Sequence, residues 1–475
     1  MKFRKGSTII SCAGLLLVMA PLIATKRTCP LEKDLIPCRC QSRNKGGVDL
    51  TCERASLDAI TRALDLMRET EQTIVYLKLR QSKIGHLPDN IFDNLDVKHI
   101  IMTNSSLTSV GKSAFAGLDN KLETMDLSQN QLRQIPREAL SKLHALVTLA
   151  INHNHIDEIP AKAFEGHQSL LRLSLFGNQI KTIDAHAFDG VDKKLARLNL
   201  GSNQLSSVPT DAIKGLQKLE WLELQDNRVT HISKQYFQAS QIYDIRIMSG
   251  LSELNLIDLT NNLIEELPSE TFGNEIRLNS LTLEGNLIEN IVDDAFKGIE
   301  GTLEWLKLGD NKLNQIPSHA LRRLVKLKQL DLHSNNISHI PEDAFDEFGS
   351  HLKFLGLQKN NIDHVPTMAF FNMHTLQWLY LGENQVKRFP LETYEPIIDT
   401  LNNFDIHNNP LVCDCELRWF REWLSNEGKK ILTFSEDTQC NEPTPYKDYV
   451  LNSIPVDHLT CPMYYGEMYK YLTEK

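Results

Sequence analysis

An asparagine returns at a nearly fixed interval through most of this chain, and that interval restricts the fold to a stacked array. The asparagines are Asn130, Asn154, Asn178, Asn203, Asn227, Asn262, Asn286, Asn311, Asn335, Asn360, Asn384 and Asn409, and Ser82 and Ser105 hold the same place in two earlier, weaker repeats. The fourteen positions lie 23 to 25 residues apart, except for the 35 residues from Asn227 to Asn262. A second register runs beside the first. Ten residues after each of thirteen of these positions comes a large apolar side chain: Phe92, Phe115, Leu140, Phe164, Phe188, Ile213, Phe237, Phe272, Phe296, Leu321, Phe345, Phe370 and Tyr394. Self-similarity at such a period marks a solenoid, in which each repeat buries its apolar face only against its neighbours.

Segments such as LETMDLSQNQLRQIP from Leu122, LEWLELQDNRVTHI and LKQLDLHSNNISHIP fit L-x-x-L-x-L-x-x-N-x-L, the leucine-rich repeat. The x-L-x-L-x portion is a short strand whose leucines point inward and whose x residues point outward. Strands of successive coils pair in parallel, and the asparagine amide is placed to satisfy backbone groups of neighbouring turns. The expected fold is an α/β solenoid: a right-handed horseshoe of about fourteen repeats, with a parallel β-sheet on the concave face and disulfide caps at both ends.

Cysteine usage and the first residues bear on the compartment. Lys2, Arg4 and Lys5 precede an apolar stretch, Ile9 to Ala24, that ends in small residues, so residues 1–25 are expected to be a signal peptide. The stretch is short for a membrane span, and no later window offers about 20 consecutive apolar residues. Apart from Cys12, the cysteines form two sets of four, Cys29, Cys38, Cys40 and Cys52, then Cys413, Cys415, Cys440 and Cys461, with none from 53 to 412. Two even clusters flanking a cysteine-free body read as disulfide modules, and an oxidising compartment favours disulfides over zinc. The division expected is 26–73 as N-terminal cap, 74–411 as the array with an insertion near 238–248, 412–462 as C-terminal cap and 463–475 as a polar tail. The protein is expected in the extracellular space or matrix.

The segment NNPLVCDCELRWFREWL and the cysteine spacing that follows it resemble the C-terminal cap of extracellular leucine-rich-repeat proteins. The first cluster resembles the matching N-terminal cap with longer gaps, and SLDAITRALDLM after it reads as an amphipathic helix with Ser56 as its N-cap. The class so resembled includes Slit-like proteins, Toll-receptor ectodomains and binding subunits of secreted complexes, among them arthropod members such as the non-catalytic subunit of a shrimp luciferin monooxygenase. That resemblance implies the pairs Cys29–Cys40, Cys38–Cys52, Cys413–Cys440 and Cys415–Cys461.

Fold alone does not give function. The outward residue before the second strand leucine runs Tyr76, His99, Thr124, Thr148, Arg172, Arg197, Trp221, Leu256, Ser280, Trp305, Gln329, Phe354, Trp378 and Asn403. Three of the five tryptophans fall in this one column, and the next outward position adds Glu223, Lys307, Asp331 and Tyr380. Trp221, Trp305, Phe354, Trp378 and Tyr380 are the candidate partner-binding residues, because exposed aromatics on a rigid sheet bury much area at little entropic cost. The competing reading is that stacked aromatics support one another along the sheet. The insertion is open to a similar pair of readings, contact site or tolerated length. Sequons at Asn104 and Asn336 are candidate glycosylation sites.

The chain carries 51 basic and 61 acidic side chains, a formal net charge of −10, so nucleic acid is not an expected partner. His153 and His155 have no third ligand at a fixed spacing and read as solvated strand-edge residues. No catalytic motif such as G-x-S-x-G or H-E-x-x-H appears, and no segment outside the repeats is large enough for a catalytic domain. No enzyme, metal or cofactor is expected. The function expected is recognition of an extracellular protein by the concave face. Recognition of microbial surfaces and a non-catalytic role in a secreted enzyme complex are the alternatives, and the oligomeric state is open.

Overall fold

A computed structural model describes residues 28–230, 232, 251–269, 271–272, 276–426 and 435–461. The expected leader, the core of the insertion at 238–248 and the polar tail lie outside the described residues.

Among the described residues, sixteen strands form one continuous sheet. It opens with an antiparallel hairpin, Cys38–Ser42 and Val48–Glu53, and every later pairing in it is parallel. Fourteen strands follow the hairpin, from Ile74–Arg80 to Asn403–Asp405, one for each repeat. Pairing is in phase with the repeat: Leu149 opposes Leu173, Leu198 opposes Leu222, and Leu306 opposes Leu330. Each central leucine is therefore stacked on its equivalent one turn away, fully buried, and the alternate residues face the concave side.

The asparagine ladder joins the turns. Asn203 donates through Nδ2 to the carbonyls of Leu175 in the preceding turn and of Leu200 and Gly201 in its own, while its Oδ1 accepts from Ile180 N–H. The same arrangement recurs at Asn262, Asn286 and Asn384. Ser82 and Ser105 serve in place of the amide: Ser82 Oγ accepts from Ala55 N–H, and Ser105 Oγ donates to the Leu79 carbonyl. Most ladder asparagines are buried, whereas Asn311 and Asn335 are half-buried. The residue just before the ladder position is left-handed in all fourteen turns, from Gln81 (φ 51°) to Asn408 (φ 50°), and only Gly177 and Gly285 among them are glycines. The backbone around the turn holds the others there, as His153 N–H donates to Phe176 O and Glu383 N–H to His407 O.

The apolar row fills the outer side of the interior. Phe92 and Phe115 stack at 5.7 Å, and Phe164 and Phe188 at 5.9 Å. Short helices on the convex side, Arg137–Leu140, Thr210–Ile213, Ser318–Leu321 and Leu391–Tyr394, each end on a row member that is not phenylalanine.

Caps close both ends. Cys29 is bonded to Cys40 and Cys38 to Cys52, and the second pair sits directly opposite in the hairpin. The helix Leu57–Thr70 follows, with Ser56 Oγ accepting from Ala59 N–H and Ile60, Leu64 and Met67 buried. At the far end Cys413 is bonded to Cys440 and Cys415 to Cys461. There the helix Arg418–Asn426 lays Phe420 and Leu424 into the core, and Trp419 donates to the Phe389 carbonyl. The apolar interior of the array is thereby closed by chain at both ends.

Candidate partner-binding surface

The outward column is a physical row. Arg197 is registered with Trp221, Ser280 with Trp305, Trp305 with Gln329, Gln329 with Phe354, Phe354 with Trp378 and Trp378 with Asn403. Strands in a sheet lie about 4.8 Å apart, so these side chains stand close enough to form one surface.

Four of the five candidate aromatics come together. Trp305, Phe354, Trp378 and Tyr380, with Lys328, Gln329 and Lys353, line an open cavity of about 560 Å³. Phe354 and Tyr380 tilt against each other at 5.3 Å, and Trp305 is 40% exposed, which leaves a large apolar face in water. Lys328 places its Nζ 5.9 Å from the Trp305 ring centre and pairs with Glu304 at 2.7 Å. Burial, and then Asp405, raise the Tyr380 hydroxyl above the usual phenol value, so it stands as a neutral donor and acceptor. Trp221 is not part of this group; two strands, Leu256–Asp258 and Ser280–Thr282, lie between it and Trp305. It is covered instead by Arg197, whose guanidinium carbon lies 3.8 Å from the ring centre.

Polar clusters that single-residue reasoning missed lie two residues further along the strands. Asp331 accepts from His333 Nδ1 at 2.8 Å, and Asp405 from His407 Nδ1 at 2.6 Å. Both aspartates are buried beneath their histidines although they occupy outward positions. The hydrogen bond to Asp331 holds the His333 imidazole above its ordinary pKa despite the opposing effect of burial. Burial raises the Glu223 carboxyl, with Asp258 adding to it. The outward alternation of the strands was the signal available for Asp331; the partnership with His333 needs the turn that follows.

Asn104 and Asn336 are both exposed. Asn104 occupies a left-handed position, and Asn336 accepts from Asn361 Nδ2 at 2.6 Å. His153 and His155 are exposed; His153 packs edge-on against Phe176 at 5.3 Å. No helix among the described residues is long and apolar enough to cross a membrane.

Residues 85–203 match the family described as a BspA type leucine rich repeat region, in six copies, and residues 193–240 and 301–350 match the leucine rich repeat family. The chain is a leucine-rich-repeat protein. Leucine-rich repeat-containing protein 3 of Danio rerio is 31% identical over 135 residues, which are 28% of this chain and 46% of that protein. Human leucine-rich repeat-containing protein 3B is 30% identical over 118 residues, 25% of this chain and 43% of its own length. The match thus spans less than half of either curated relative. Among solved structures, a chain of the Drosophila Toll–Spatzle complex superposes with a TM-score of 0.57 at 22% identity, covering 86% of this chain and 63% of its own. A chain of the mouse RP105/MD-1 complex does so with a TM-score of 0.61 at 19% identity, covering 87% and 74%. At those identities the likeness is one of fold: a disulfide-capped leucine-rich-repeat solenoid.

Proposed function

We propose that this leucine-rich-repeat protein is an extracellular, non-enzymatic recognition protein that binds a protein partner on its concave face, through Trp305, Phe354, Trp378 and Tyr380. The observation that carries the reading is the convergence of these four aromatics around one open cavity on consecutive, hydrogen-bonded strands. Their backbone is already ordered, so binding loses little chain entropy, and aromatic anchors of this kind dominate interface energetics. Lys328 and Lys353 at the rim suit a partner segment that carries carboxylates. The disulfide caps support an oxidising location, and glycans at Asn104 and Asn336 are part of the same proposal. The solved chains that share the fold come from complexes named for two proteins, Toll with Spatzle and RP105 with MD-1, which supports a protein rather than a small molecule as partner.

The test is an unbiased screen of the purified chain against extracellular ectodomains, matrix components and microbial surfaces, repeated with Trp305→Ala combined with Trp378→Ala. A protein hit that weakens at least about tenfold in the double variant, with the melting temperature preserved, supports the reading. Retained binding together with a lowered melting temperature assigns the aromatics to sheet support instead.

A further inference from the structure

We propose that Glu284, Asp310 and His333 form a binding site for a divalent transition cation of the zinc type at the edge of the concave sheet. The inference does not depend on the recognition reading. Ligand atoms of the three side chains lie within 4.8 Å of one another. His333 Nε2 stands 3.7 Å from Glu284 Oε1 and 3.6 Å from Asp310 Oδ2. Those separations exceed hydrogen-bond reach. They are close to the roughly 3.4 Å expected between donors that sit about 2.1 Å from one tetrahedral ion.

The imidazole is held as a metal-bound histidine would be. Its Nδ1 donates to Asp331 at 2.8 Å, and Asp331 also accepts the His333 backbone N–H at 3.2 Å. With Nδ1 held by Asp331, Nε2 is the ring atom that faces the two carboxylates, and a cation between the three would satisfy them together. Glycine makes the reach possible. Glu284 lies two turns before His333, and the residue between them in register is Gly309; a Cβ there would stand 2.2 Å from the ring. Gly356 gives the same room to Asp331, since a Cβ there would come within 2.6 Å of the carboxylate. One nitrogen and two oxygens form a donor set that suits zinc better than calcium, which prefers oxygens alone. Asp310 is 57% exposed on its side chain, so further coordination positions face solvent, open to water or to a carboxylate from outside.

A sister arrangement supplies the internal control. His407 is oriented by Asp405 and lies over Gly382, with Glu383 3.5 Å from its Nε2, but the position equivalent to Glu284 is the neutral Gln358.

The test titrates the full, tag-free chain, stripped with a chelator, with Zn2+ alone in a calorimeter. The wild type should take up Zn2+ at a site that is weakened at least tenfold in His333→Asn, Glu284→Gln and Asp310→Asn. Gly309→Ala, which keeps all three ligands and displaces the ring, should weaken it likewise, and His407→Asn should leave it unchanged. Melting temperatures in chelator identify any variant that fails to fold, and Co2+ substituted into the wild type should give the absorption of a nitrogen-and-oxygen site with low coordination number. The proposal is overturned if the wild type takes up no Zn2+, if Glu284→Gln and His333→Asn bind it as well as the wild type does, or if Ca2+ displaces it at equal concentration.

Discussion

The guanidinium carbon of Arg197 stands over the indole of Trp221, 3.8 Å from the ring centre, on adjacent strands that pair residue for residue. A cation on an aromatic face stabilises by about 0.5–1 kcal/mol at an exposed site. This tryptophan is thus committed to its neighbour, unlike Trp305. Trp221→Ala is expected to lower the melting temperature while leaving partner binding within about threefold. Arg197→Ala should produce a smaller loss of stability, of roughly 0.5–1 kcal/mol. Thermal melts alongside binding assays check both, and a large binding loss in Trp221→Ala would extend the recognition surface to the middle of the array.

Removing one rung of the ladder should be costly. Asn203→Ala takes the acceptor from buried Ile180 N–H and one of two donors from the Leu175 and Leu200 carbonyls, which keep Asn178 and Asn227, and an unsatisfied buried group costs about 1–3 kcal/mol. A loss of about 1–3 kcal/mol in urea unfolding is expected. Asn203→Ser should recover part of it, because Ser105 Oγ already donates to the carbonyl of the preceding turn as the amide does.

The C-terminal cap should protect the turns nearest to it. The Cys415–Cys461 bond closes a separation of 46 residues, which corresponds to about 4 kcal/mol in the chain-entropy description. Replacing both cysteines by alanine is expected to speed amide exchange in Trp378–Tyr380 and Asn403–Asp405 and to leave Ile74–Arg80 unaffected, because stability in a repeat array passes between neighbours. Uniform acceleration along the chain would show instead that the array melts as one unit.

His167 is fully buried, with Nδ1 2.8 Å from the Phe164 carbonyl. Burial lowers its pKa below the ordinary imidazole value, against the opposing pull of the Phe164 and Leu140 carbonyls. The unfolded chain therefore takes up this proton at a higher pH than the folded chain does. The stability contributed by neutral His167 is present in full above the unfolded pKa of about 6.5 and declines as pH falls below it. Melts from pH 7.5 to 5 should fall more steeply for the wild type than for His167→Leu, and parallel curves would refute the assignment.

The ladder, the outward column and the apolar row were legible in the sequence because each is written once per turn, so that Asn203 or Phe164 is read against a dozen equivalents. What was not legible is what one turn does to another through a gap. Glu284, Asp310 and His333 are 26 and 23 residues apart, which looks like ordinary repeat spacing, and their convergence depends on the missing side chain of Gly309. The left-handed residue before each ladder position was only half visible: Asn104, Asp226, Asn261, Asp310 and Asn408 are types that tolerate it, whereas Gln81, Lys359 and Glu383 are held there by the backbone of the adjoining turn. The separation of Trp221 from the other aromatics was in the column all along, but its capping by Arg197 is a matter of side-chain direction that pattern alone does not carry.

The repeat of 35 residues leaves the sheet undisturbed. Trp221 still faces Leu256, and Val229 N–H still reaches Asn262 Oδ1 at 3.0 Å, as though the turn were of ordinary length. The array is therefore phase-locked at the strand and the ladder across a repeat of unequal length. A graft of foreign residues into the outer arc of any other turn should leave the concave surface in register, which makes the inner and outer faces of this protein separately editable.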